Sequence, residues 1–127
     1  MKYIFLIYVD ESDPRSEGGP DDIAAHVDFA RDAIADGAYV TCDALSRTPA
    51  AMTVRVRDGE VLINDGPFAE TKEALGGYYV LECKDQGEAI AYAAKIPPAQ
   101  NFMIEIRPIM EIPGWEEMIG LAASTAT

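Results

Sequence analysis

The richest set of reactive side chains lies in residues 65–73, which read Asp-Gly-Pro-Phe-Ala-Glu-Thr-Lys-Glu. These nine residues, called loop 65–73 below, contain three carboxylates, one ammonium group and one hydroxyl. A carboxylate beside an ammonium group is kept ionised and acts as a base, whereas a crowded carboxylate stays protonated and acts as an acid. We therefore predict a catalytic carboxylate at Asp65. The ligand-binding candidates are Phe68, Glu70, Lys72 and Glu73.

The backbone of loop 65–73 is constrained at two neighbouring positions. Gly66 permits an unusual backbone angle, and Pro67 fixes the angle that follows. We expect Phe68 to insert into apolar surroundings and anchor the loop, so that the polar groups point outward. The alternative is a polar turn whose Asp and Thr side chains bond their own backbone.

The second candidate for chemistry is His26, the only histidine in the chain. An unperturbed imidazole titrates near neutral pH and suits proton transfer. Its position borders the predicted apolar stripe of a helix, from which it can reach into a cleft between helix and sheet. We predict that His26 and Asp65 face one cavity as a catalytic pair, with Asp43 as the other candidate acid. The competing interpretation is a half-exposed histidine at the edge of a helix.

Other patterns bear on ligands. Four tyrosines in predicted strands either line a pocket for a small ring compound or belong to the core; they are Tyr3, Tyr8, Tyr78 and Tyr79. The chain has neither the His and Cys spacing of a metal site nor a glycine-rich phosphate loop, so we expect no metal and no cofactor.

The elements that must position these residues follow from periodicity and turn signals. Strands are predicted at 2–9, 39–45, 52–57, 61–64, 77–83 and 102–110, with helices at 20–36 and 85–95. An Asp58-Gly59 turn joins the third and fourth strands in a hairpin. The predicted buried stripe of the first helix is Ile23, Val27, Ala30 and Ile34. That of the second helix is Ala89, Ile90, Ala93 and Ala94.

The order β-α-β-(β-β)-β-α-β predicts an α+β domain, a ferredoxin-like split βαβ pair with an inserted β-hairpin. Two helices cover only one face of such a sheet. The first strand is apolar on both sides, and large exposed apolar patches are rare on monomers. We therefore predict a homodimer in which a second copy covers the other face.

Composition excludes several classes of function. The net charge of -12 and the scattering of ten basic residues argue against direct nucleic-acid binding. The apolar start is too short for a membrane span or a signal sequence, so we expect a cytoplasmic protein.

Cys42 and Cys83 fit no redox or zinc motif and are expected to be reduced thiols. With 127 residues, the chain fits one domain at 1–112 followed by a tail at 113–127.

Three segments together resemble the DGPF branch of the YCII-related superfamily. The first is loop 65–73 continued by Gly76-Gly77-Tyr78. The second is the helix from Glu88 to Ala94 leading into Pro97, and the third is Glu-Ile-Arg-Pro at 105–108. His26 resembles the histidine on the first helix of that group.

The resemblance implies a dimeric ferredoxin-like α/β fold, a dimeric α/β barrel. It further implies suspected catalysis by a histidine and an aspartate, and a link to sigma factors of the extracytoplasmic-function type. Two hypotheses follow. In the first, the protein is an acid–base enzyme acting on a small organic molecule. In the second, it is a non-catalytic ligand-binding or regulatory module associated with such a sigma factor. One fold hosts many functions, so the geometry of the site must distinguish between the two hypotheses.

Overall fold

A computed structural model describes residues 1–69 and 71–121. The strands are β1 (Lys2–Val9), β2 (Tyr39–Ala44), β3 (Met52–Arg57), β4 (Glu60–Asp65), β5 (Ala74–Glu82) and β6 (Met103–Pro108). The helices are α1 (Pro20–Ala35), α2 (Gln86–Lys95) and α3 (Trp115–Met118). This order matches the predicted succession of strands and long helices in a mixed α+β protein. Residues 122–127 of the predicted tail lie outside the described residues.

Four strands form the main sheet, in the order β2-β5-β1-β6, and every neighbouring pair is antiparallel. This mixed α+β architecture is compatible with a ferredoxin-like fold. β3 and β4 form a separate two-stranded sheet. Its turn has positive φ at Asp58 (50°) and Gly59 (80°), as the predicted hairpin turn requires.

The core lies between the two long helices and one face of the main sheet. On β1, the buried side chains alternate as Tyr3, Phe5 and Ile7. α2 begins where its sequence predicts, because the Asp85 carboxylate accepts a hydrogen bond from the Glu88 backbone N–H at 2.9 Å. That helix buries Ala89 and Ala93, as predicted, and its small side chains let it lie close to the sheet.

The predicted buried stripes are wrong in part. On α1, the buried residues are Phe29 and Ala33, whereas Ile23 and Ile34 are 61% and 58% exposed and Val27 is also exposed. The physical reason is that the Phe29 ring packs edge-on against Tyr79, with centroids 4.9 Å apart, and thereby fixes the rotation of the helix. On α2, Ile90 and Ala94 are likewise exposed rather than buried.

The helices cover one face of the main sheet in the single chain. On the other face, Ile4 and Leu6 of β1 remain half-buried. The apolar side chains of the hairpin are more exposed than those of β1. One of its faces carries five apolar side chains that are 58–70% exposed: Met52, Val54, Val56, Val61 and Ile63. An isolated two-stranded hairpin is marginally stable in water. Burial of its apolar face, and of the open face of the main sheet, would therefore stabilise the fold.

Candidate functional site

A cavity of about 600 Å³ opens between α1 and the β2–β5 side of the main sheet. Its walls are largely apolar and include Ile7, Val9, Ile23, Val27, Leu45 and Phe102. Two of these residues, Ile23 and Val27, belong to the stripe that the sequence wrongly placed in the core. Because α1 is rotated to bury Phe29, these two side chains lie at the cavity instead. The volume is in the range of sites for small organic ligands, roughly 300–1,000 Å³.

His26 and Tyr79 form a hydrogen-bonded pair in the wall of this cavity. His26 Nδ1 lies 2.7 Å from the Tyr79 hydroxyl oxygen, and the two rings are stacked with centroids 5.9 Å apart. α1 supplies the histidine from the side of the helix that also carries Phe29, and β5 supplies the tyrosine from a strand in the middle of the sheet. Tyr79 is only 3% exposed, so the pair lies at the boundary between the hydrophobic core and the cavity.

Burial favours the uncharged form of both members of this pair. Burial lowers the pKa of His26, and the negative charge of Asp22 only partly opposes that effect. Burial also raises the pKa of Tyr79 well above its usual range. If Nδ1–H donates to the tyrosine oxygen, Nε2 is a free proton acceptor; if the hydroxyl donates to Nδ1, Nε2–H is a donor. A neutral imidazole held in this way can act as either a base or a hydrogen-bond donor.

The β2 strand brings a thiol to the same cavity. Cys42 pairs with Tyr79 across the two strands, and its sulfur lies 3.4 Å from the Tyr39 hydroxyl. Asp43, the other acid considered from the sequence, pairs with Tyr78, so its side chain lies on the opposite face of the sheet from Cys42 and Tyr79. There its carboxylate accepts a hydrogen bond from the Tyr78 hydroxyl at 2.6 Å. Both cysteines are free thiols, as predicted.

A close approach of backbones holds these two strands in place. A Cβ atom on Gly77 of β5 would lie 2.9 Å from the carbonyl oxygen of Asp43, which is too close for any side chain. Glycine at this position therefore lets β2 lie against β5, and both Gly77 and Asp43 line the cavity.

The mouth of the cavity carries two arginines that are already engaged. The Arg15 guanidinium binds both carboxylate oxygens of Asp13, and its NH1 donates to Asn101 at 2.9 Å. The hydrogen bonds from the side chain and the backbone N–H of Arg15 lower the pKa of Asp13 to about 2. Arg47 donates to the backbone carbonyl of Glu11 and to Ser16. The sequence analysis missed both arginines, since each is isolated along the chain and no local pattern singles it out.

The two ends of loop 65–73 lie at different places in the structure. Asp65 is the last residue of β4, where it pairs with Met52, and it is not part of the cavity wall. Phe68 is 83% exposed, so the predicted anchoring of the loop by its ring is wrong for the single chain. The physical reason is that the loop leaves the separate β3–β4 hairpin, whose own apolar side chains are exposed, and not the core of the main sheet. Glu70 lies outside the described residues.

The end of the loop reaches a second, smaller cavity. Lys72 and Glu73 line this cavity of about 220 Å³, together with Asp10 and Asp13. Three further residues, Arg15, Asn101 and Phe102, line both cavities. The Arg15 guanidinium carbon lies 5.9 Å from the centre of the Phe102 ring, so the two side chains form a shared wall.

The structure thus brings His26 into a cavity with Tyr79 and Cys42, and brings Lys72 and Glu73 to the neighbouring one. The sequence analysis named Tyr79 as a pocket residue but did not pair it with His26. Across 1–69 and 71–121, no group of three or more His, Cys, Asp or Glu side chains is placed to hold a metal ion. Within those same residues, no helix combines the length and apolar character that a membrane span needs.

Comparison with known proteins gives a family match and a relative. The sequence pattern of the YCII-related domain matches residues 1–113. The chain is also similar to an uncharacterised protein of Rhizobium meliloti (strain 1021), with 34% identity over 114 residues. That alignment covers 86% of this chain and 92% of the relative.

Proposed function

The chain belongs to the YCII-related family, and from that premise we propose that it is a cytoplasmic acid–base enzyme acting on a small organic molecule. The observation that carries the proposal is the 2.7 Å contact between His26 Nδ1 and the Tyr79 hydroxyl in the wall of a 600 Å³ cavity. A neutral imidazole accepts a proton from the bound molecule and returns it at a neighbouring position. Asp22 stabilises the imidazolium that forms in between. Loop 65–73 and the motifs that accompany it favour the DGPF branch of the family.

We also propose that the working unit is a homodimer, built as a dimeric α/β barrel. Two unpartnered surfaces of one chain support this proposal, namely the open face of the main sheet around Ile4 and Leu6 and the apolar face of the hairpin. Both are apolar, and a two-fold axis lets each copy cover the other with one set of residues. A second copy is therefore the occupant that satisfies both surfaces at once.

Asp65 enters this proposal through the second copy. In the β3–β4 register, Asp65 faces Met52, so its side chain lies on the apolar face of the hairpin, at the end of that face. A second copy that receives the hairpin also receives this carboxylate. We propose Asp65 as the acid partner of His26 across the dimer. The ligand-binding role stays with Lys72 and Glu73 at the smaller cavity, with Phe68 and Glu70 of the same loop.

The alternative is a non-catalytic ligand-binding or regulatory module that acts with an extracytoplasmic-function sigma factor. The exposed apolar hairpin face is the observation in its favour, because such a face also suits a different protein partner. In that case the cavity binds a ligand without changing it, and His26 has no role beyond a hydrogen bond.

Deuterium exchange separates the two functions. The protein is incubated in D₂O with uncharged, ring-sized ketones and lactones, and loss of their α-proton signals is followed by NMR. We expect faster exchange with the wild-type protein and loss of that effect in His26→Gln, with Arg31→Gln on the exposed side of α1 as the matched control. Binding without faster exchange, or equal exchange in His26→Gln, favours the module.

A further inference from the structure

Two successive rows of paired residues form the sheet side of the large cavity, and they differ in height. In the first row, Cys42, Tyr79 and Phe5 lie side by side on β2, β5 and β1. Tyr79 and Phe5 belong to the hydrophobic core, and the Tyr79 hydroxyl makes the contact with His26. Because directly paired residues project from the same face of a sheet, this row forms a raised step.

The second row lies two residues further along each strand and is called the low row below. It consists of Ala44, Gly77 and Ile7, which are paired in the same way and line the cavity. Position 77 has no room for a side chain, because a Cβ atom there would lie 2.9 Å from the carbonyl oxygen of Asp43. Ala44 is exposed and adds only a methyl group. The sheet therefore has a recess at Ala44 and Gly77, next to the Tyr79 step.

Helix α1 lines the same cavity with apolar side chains. These are Ile23, Val27 and Ala30, which lie on the helix side of the cavity. The helix contacts the sheet at the step, where the Phe29 and Tyr79 ring centroids are 4.9 Å apart. The recess thus has apolar groups from both the sheet and the helix. A ring-shaped body gains dispersion contacts on both of its faces in such surroundings.

The spacing of the two rows fits a ring that carries one oxygen. Residues two apart on a strand are separated by about 6.6 Å. A six-membered ring with an oxygen one carbon away spans this length together with one hydrogen bond of about 2.8 Å. A ring on the low row therefore places its oxygen at the His26 imidazole, which is held by Tyr79.

We propose that the low row is the ring subsite of the large cavity and that Ala44 limits the size of the ring it accepts. The ligand is a compound with a single six-membered ring and a hydroxyl or carbonyl group one carbon away. Any larger side chain at position 44 would occupy the recess. This inference rests on the proposed site and names the class of its ligand. It does not depend on proton exchange, because it concerns only where the ring lies.

Benzyl alcohol is a probe of the required size and shape. The full chain, labelled with ¹⁵N and ¹³C, is titrated with it, and the dissociation constant is taken from the shifts of the Gly77 and Tyr79 amide signals. We expect nuclear Overhauser effects from the ring protons of the probe to the Ala44 methyl group, and from its CH₂ group to the His26 ring. Absence of binding, or bound-probe contacts that do not include Ala44, would overturn the proposal.

Substitutions at position 44 test whether it sets the size of the subsite. Ala44→Val is expected to weaken binding of benzyl alcohol about threefold and Ala44→Leu about tenfold, because the added methyl groups fill the recess. Ala24→Leu is the matched control, since Ala24 is exposed on α1 and does not line the cavity, so binding should stay within about twofold of the wild type. Amide spectra and thermal unfolding verify that each variant is folded, and Ala44→Val keeps the test decisive if the leucine disturbs β2.

The proposal is overturned if the folded variants at position 44 bind the probe as tightly as the wild type, or if Ala24→Leu loses as much affinity. Ring binding that follows the series at position 44 without any deuterium exchange would overturn the catalytic proposal and leave the ring subsite standing. Deuterium exchange with unchanged probe binding across the series would do the reverse.

Discussion

His26 Nδ1 and the Tyr79 hydroxyl oxygen lie 2.7 Å apart although 53 positions of sequence separate the two residues. The contact exists because α1 packs on the sheet through Phe29, whose ring also touches Tyr79. A core contact and a candidate catalytic contact therefore share one tyrosine. Substitutions in the core around Phe29 are therefore expected to alter the contact between Tyr79 and the His26 imidazole.

Tyr79→Phe removes the hydroxyl and leaves the ring. We expect the unfolding free energy to fall by about 1–2 kcal/mol, because a half-buried Nδ1 loses its hydrogen-bond partner. The ring ¹⁵N shifts of His26 are expected to report a changed tautomer balance. Tyr92→Phe is the control, since the Tyr92 hydroxyl donates to the exposed Asp36 at 2.8 Å and its loss should cost less. Unchanged His26 shifts in Tyr79→Phe would contradict the pairing.

The stability of the fold is expected to depend on pH through His26. Its pKa in the folded protein lies below the ordinary value of 6.5, so between the two values the unfolded chain binds more protons. The contribution is complete above about pH 6.5 and is lost as the pH falls through the folded value. Denaturant unfolding at pH 7.5 and 5.5 measures it, and His26→Gln should show a smaller difference. An equal difference in both proteins would place its origin elsewhere.

Two phenylalanines are expected to differ sharply in their effect on stability. Phe29 is 6% exposed and packs against Tyr79 and Tyr92, so Phe29→Ala should cost about 3–5 kcal/mol. Phe68 is 83% exposed, so Phe68→Ala should change the unfolding free energy by no more than about 0.5 kcal/mol in the monomer. Thermal and denaturant unfolding measure both variants. A large loss in Phe68→Ala would mean that a second copy buries that ring.

The homodimer predicts a mass of about twice 13.8 kDa in light scattering at micromolar concentration. Val54→Asp puts a charge into the apolar face of the hairpin and is expected to give monomers. Arg55→Asp is the matched control, because Arg55 lies on the opposite face of the same strand and should leave the dimer intact. A wild-type monomer, or dissociation in the control alone, would remove the basis for this interface.

A site shared between two copies makes a quantitative prediction for mixed dimers. His26→Gln and Asp65→Asn are each expected to lose proton-exchange activity. Refolding the two variants together should restore about a quarter of the wild-type rate, because half of the dimers are mixed and each mixed dimer has one intact site. No recovery on mixing would show that Asp65 does not serve His26 across the dimer.

The sequence by itself determined the elements and their order. These features depend on local physics: the Asp85 side chain capping α2, positive φ at Asp58 and Gly59, and the apolar run of β-branched and aromatic residues in β1. Each acts over a few residues, so each can be recognised before the chain is folded. The element order in turn predicted the split βαβ arrangement, since hairpins and crossovers of this length have few compatible topologies.

Only the tertiary structure decided which way the helices face and what His26 touches. Ile23 and Val27 fit a buried stripe as well as Phe29 does, and the choice depends on how a large ring packs against Tyr79. Rotating α1 to bury that ring sends two apolar side chains to the cavity. The partner of His26, the engagement of Arg15 by Asp13 and the exposure of Phe68 all depend on contacts between distant segments. Such contacts follow from packing in three dimensions, which residue spacing along the chain does not encode.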